Sequence, residues 1–185
     1  MNTELPPQLR ALAAEFEAAR RRAHRVLAGL PSEAWTLRPD PERWSIAEQI
    51  VHLDLASRAD LPVIDEAIAR GRESGTFGEG PYRRDFLGWM LARLVEPPVR
   101  LRVQAADRLM PARVTPPDQA LRDFDLRQNL LLGALRRAAG LALDRIEVAP
   151  PSDLRRRMNL YSFLRTIPAH QRRHLWLAER IRMRR

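Results

Sequence analysis

The sequence predicts an all-α protein, a four-helix bundle with a long irregular connection between its second and third long helices. Four long stretches carry apolar residues at three-to-four spacing, the pattern of one buried helical stripe. These stretches start and stop on helix punctuation, with a capping sequence before one and Gly or Pro after others. Apolar–polar alternation is confined to one short segment, which offers no strand a partner. Four long helices with some lengthy connections are most economically packed as a bundle.

The first helix is expected from Leu5 to Gly29, with Leu9, Leu12, Phe16, Ala19, Ala23 and Val26 on its stripe and Gly29-Leu30-Pro31 as its stop. A proline-rich connector from Pro31 to Pro41 follows, where regular helix is disfavoured. The second long helix begins at Ser45-Ile46-Ala47-Glu48, a capping box. It carries Ile50, Val51, Leu53, Leu61 and Ile64 up to Gly71, with Trp44 just before the cap. Pro62 has no N–H for the carbonyl of residue 58. Either one helix kinks there, or it stops near Ala59 and Asp60 caps a new one. Gly71 to Pro81 reads as a loop, Tyr82 to Leu94 as a shorter helix, and 99–103 as an extended segment across the bundle. The third long helix runs from about Pro117 to Gly140 and the fourth from about Met158 to Met183. Pro168 should kink the fourth or mark a new start within it.

With 185 residues, 45% hydrophobic and 30% charged, the chain (1–185) suits one soluble globular domain. No apolar run approaches the roughly 18–20 residues that span a bilayer, so no membrane association is expected. Met1 to Pro7 lack the pattern of a secretory signal, which makes the cytoplasm the expected location. There is no cysteine, which excludes disulfides, thiolate ligands and a cysteine nucleophile. The net charge is +9 and every basic residue other than histidine is arginine. Such charge favours association with polyanions. The arginines are nevertheless dispersed in pairs and triplets on helix surfaces, so solvated faces are expected and nucleic acid is not the expected partner.

Three of the four histidines fall in two of the amphipathic stretches. His170 and His174 are four apart and point from one helical face, and His52 on another helix can complete a three-nitrogen metal site. Imidazole nitrogens suit one divalent transition metal such as zinc, nickel or iron, and three protein ligands leave coordination positions open. His24, between Arg22 and Arg25, reads as a surface residue. Glu48 is first a capping group, with a role in orienting His52 or moving protons as its alternative. Arg172 and Arg173 read as solvated, the alternative being a grip on an anionic substrate. Trp44, Trp89 and Trp176 read as core packing rather than as a substrate platform, the alternative being a place on the pocket wall.

Trp44-Ser45-Ile46-Ala47-Glu48-Gln49-Ile50-Val51-His52-Leu53, followed near the carboxyl end by His170-Gln171-Arg172-Arg173-His174, resembles the DinB-like metalloproteins. That superfamily includes bacillithiol transferases and mycothiol-dependent maleylpyruvate isomerases. The resemblance implies a four-helix bundle of the DinB-like type, with His52, His170 and His174 holding one divalent metal. It also implies a small-molecule substrate, with a low-molecular-weight thiol as one candidate, and allows a homodimer. Pro168, so near His170, departs from the expected pattern. No thiol-cofactor signature and no catalytic residue stand out beyond the three ligands.

The leading function is therefore a metal-dependent enzyme of thiol S-transferase or hydrolase type, the ion lowering the pKa of a bound thiol or water. The alternative is a non-catalytic, stress-related metal-binding bundle or interaction protein, in which metal contributes to folding. An arginine-rich nucleic-acid binder comes third, since no recognition helix or basic-aromatic platform supports it.

Overall fold

A computed structural model describes residues 5–98 and 109–183, and in it the chain is mostly helical. The extended segment expected at 99–103 lies outside the described residues. In chain order the elements are α1 (Pro7–Leu27), α2 (Ser32–Thr36), α3 (Ile46–Glu73), α4 (Phe86–Val95), α5 (Pro117–Ala138), β1 (Glu147–Val148), β2 (Met158–Asn159) and α6 (Leu160–Met183). The long helices α3 and α1 each pack against both α5 and α6, while α4 lies along α6. No helix among the described residues is long and apolar enough to cross a membrane.

Several boundaries differ from expectation for identifiable reasons. The proline-rich connector still forms the one-turn α2, because Pro31 takes the N-cap position where its missing N–H costs nothing. Its Trp35 is buried, and its indole N–H donates to the Thr115 carbonyl at 2.8 Å. Helix α3 runs unbroken through Pro62 and past Gly71, which is no stop at all. A Cβ at residue 71 would lie 2.5 Å from Ile146 Cδ1, so Gly71 permits close packing within the helix. Helix α6 likewise runs through Pro168. Before it, Met158–Asn159 pair antiparallel with Glu147–Val148, a ladder too short to show in an alternation pattern.

The start of α3 follows the capping rule. Ser45 Oγ accepts the Glu48 N–H at 3.2 Å, and Glu48 Oε2 accepts the Ser45 N–H at 2.8 Å. Arg38 grips the same carboxylate, which keeps Glu48 ionised despite its burial. Glu48 is thus occupied with the helix terminus. Ser45→Ala is expected to lower stability by about 1 kcal/mol, a melting-temperature drop of roughly 2–4 °C for a domain this size, without altering metal content.

The apolar core is in two parts. One gathers Leu9, Leu12, Phe16, Leu61, Ile64, Leu131, Leu135 and Leu164. The other gathers Ala23, Val26, Trp35, Ile46, Ile50, Leu53, Phe124 and Leu175. Between them, along α3, α5 and α6, the buried residues turn polar: His52, Asp54, Ser57, Gln128, Gln171, Arg173 and His174. That break in the core marks the level of the site.

Candidate metal centre

His52 sits in the second turn of α3, and His170 and His174 follow one another by a turn on α6. The packing of α3 on α6 brings all three rings together. Their ligand nitrogens lie within 4.8 Å of one another, a group able to hold one metal ion. His52 Nε2 is 3.2 Å from His170 Nε2, and ring centroids are 4.5 Å apart for both His52–His174 and His170–His174.

Two of the rings have their tautomers fixed from outside. The His52 Nδ1–H donates to the Leu109 carbonyl at 2.8 Å, and the His174 Nδ1–H donates to Gln49 Oε1 at 2.6 Å. Each bond puts the proton on Nδ1 and leaves the Nε2 lone pair turned inward. Burial holds all three rings toward the neutral form, and mutual repulsion with the positive charge of Arg173 adds to this at His170 and His174. The His170 value falls to about 3.

The donor set fits a divalent transition ion. Two nitrogens held at 2.0–2.1 Å by one tetrahedral ion stand about 3.3 Å apart, close to the His52–His170 separation. When both nitrogens present lone pairs, 3.2 Å apart with no proton between them, they repel and lack a donor, a deficit that a shared cation removes.

The rings open onto a cavity of about 1400 Å³. Leu91 and Leu94 of α4, with Leu109 and Met110, line part of it, so the connection between α3 and α5 shapes this pocket. Trp44, expected in the core, is half-buried and borders the site, its ring 5.0 Å from that of His52 and stacked 6.0 Å from that of His174. Trp176 also lines the cavity beneath the Arg180 guanidinium, whereas Trp89 is half-exposed. His24 lies apart, exposed and bonded to Asp125. The two arginines between His170 and His174 are less solvated than expected. Arg172 is held by Glu15 and Glu96, and Arg173 is buried and faces the cavity beside the histidines.

Gln49 and Leu109 did not stand out in the sequence, and Asp60 did so only as a possible helix cap. Gln49 did leave a signal, as an uncharged polar residue within the apolar start of α3, one turn before His52. A main-chain carbonyl such as that of Leu109 leaves none. Asp60 lines the cavity, and burial pushes its carboxyl up to about 7. The folded state therefore binds more protons than the unfolded one between about pH 4 and 7, and stability falls as pH rises through that window. Asp60→Asn removes the penalty. Its melting-temperature advantage over the parent is expected to open between about pH 4 and 7 and to level off above that. A constant difference across pH would show that Asp60 does not titrate this way.

A family model described as the DinB superfamily matches residues 15–178 of the chain. No curated protein and no solved structure matches it.

Proposed function

We propose that this chain, which belongs to the DinB superfamily, is a single-domain, four-helix-bundle metalloenzyme. In this reading His52, His170 and His174 hold one divalent transition metal and act on a small molecule in the adjoining cavity. The observation that carries it is the convergence of three neutral imidazoles, two oriented by Gln49 and Leu109, on the wall of a large pocket. A metal needed only for folding would call for a closed ligand set and no cavity. When bound, the ion would supply Lewis acidity, lowering the pKa of a thiol or water at its open side.

The chain's own residues do the rest. Gln49 and the Leu109 carbonyl hold the rings in the ligating tautomer, so that little reorganisation accompanies binding. Arg173, buried on the cavity wall with the histidines, supplies a positive charge that would suit a thiolate or another anionic group of the substrate. Trp44 shields two of the rings from water. With no cysteine in the chain, a thiol nucleophile would come from a low-molecular-weight thiol. The reaction class is then thiol S-transfer to an electrophile, or a related hydrolysis. A screen of the metal-loaded protein against thiol–electrophile pairs and ester or amide substrates tests this. Turnover abolished by His170→Ala supports it. Turnover that persists in that variant without metal, or no turnover with any pair, defeats it.

A further inference from the structure

We propose that Asp60 is a second recognition point in the cavity, a specificity-determining residue that receives a protonated amine of the ligand. The inference rests on the cavity being the ligand site, as proposed above, but not on the identity of the metal.

Asp60 follows His52 by eight residues on α3, with Ala56 midway, and all three line the cavity. Residues four apart share a helical face, so these form one row, and eight residues advance about 12 Å along the axis. The wall also carries the apolar Leu91, Met158, Phe163 and Ile167 and the cationic Arg43, Arg156, Arg173 and Arg180.

The acids of this chain are generally paired. Asp54, on the same helix, holds Arg58 at 2.6 Å and Arg127 at 2.9 Å, and Asp65 holds Arg137 at 2.6 Å. Asp153 at the cavity margin holds Arg156. Asp60 is different: among the described residues no hydrogen bond or ion pair reaches it, and burial alone accounts for its raised pKa. Aspartate is a poor helix former away from the first turn, and the half-buried Asp60 carboxylate, partly withdrawn from water without a partner among the described residues, is destabilising. A residue that costs the fold in both ways, and faces a cavity, is explained by a partner that arrives with the ligand. A cation with N–H donors satisfies the carboxylate and draws it back to the ionised form.

The test uses hexylamine, hexan-1-ol and hexanoate as probes, with binding followed by calorimetry at pH 7.5 on metal-loaded and chelator-treated protein. The amine is expected to bind at least about tenfold more tightly than the alcohol, as charge-assisted hydrogen bonds do, while hexanoate, drawn to the cavity arginines, should bind no more weakly in Asp60→Asn than in the parent. In Asp60→Asn the amine and the alcohol should bind within about twofold of each other, with affinity for the alcohol unchanged. No preference for the amine in the parent protein, no binding of the amine, or a preference that survives in Asp60→Asn overturns the proposal. The two ideas fail separately. Loss of the metal reading leaves the amine preference intact in chelator-treated protein, and loss of the Asp60 reading leaves metal content unchanged.

Discussion

Protein purified without chelators, or reconstituted and desalted, is expected to carry about one divalent transition-metal ion per chain, and His170→Ala less than about a tenth of that. His170 Nε2 stands 3.2 Å from His52 Nε2, so its removal takes away one corner of the nitrogen triangle. Deleting the ligand should cost more than the 10–100-fold in affinity that loss of an outer hydrogen-bond partner typically does. His52→Ala should behave alike. Alanine is the best helix former, so neither helix is put at risk by the change itself. His24→Ala is the control, because His24 is exposed and bonded to Asp125.

Stability gives an independent readout. An ion at one hundred times its dissociation constant stabilises the native state by about 2.7 kcal/mol, or roughly 5–10 °C for a chain of this size. Chelation should lower the melting temperature of the parent by that amount and leave His170→Ala unmoved. Stoichiometric metal in His170→Ala, or a parent that takes up no metal after reconstitution, would sink the three-histidine centre.

The helices were legible because each carries a continuous stripe. The start of α3 was the clearest element, since Ser45 and Glu48 form both halves of the capping box that their spacing announces. The histidine trio was legible for a related reason, since His170 and His174 share a face and His52 stands on a second stripe. Less legible were features set by tertiary contact. Gly71 reads as a stop, yet it lies within a helix because Ile146 packs where its Cβ would be. Arg173 reads as solvated, yet the packing of α6 against its neighbours buries it. Pro62 and Pro168 read as either kinks or new starts, and both helices run on through them, because packing outweighs a single missing hydrogen bond. Periodicity reports which face of a helix is apolar. It is silent on which polar residue will line a cavity that the connections close.

Replacing Gln49 with leucine is expected to weaken metal binding by about 10–100-fold while leaving all three ligands in place. Gln49 is buried, and its Oε1 accepts the Nδ1–H of His174 at 2.6 Å. Leucine is similar in size and keeps the packing but accepts no hydrogen bond. The His174 Nδ1–H would then be left buried without a partner, at about 1–3 kcal/mol, and the ring would be free to turn its lone pair away from His52 and His170. Gln49→Glu separates orientation from packing. A carboxylate accepts the same bond and makes the ring a stronger donor to the ion, so this variant should bind metal at least as tightly as the parent. Competition against a chelating dye measures all three affinities. If Gln49 serves only to fill space, leucine will bind as the parent does and glutamate, burying a charge, will do worse. The opposite ranking identifies Gln49 as the residue that prepares His174 to ligate.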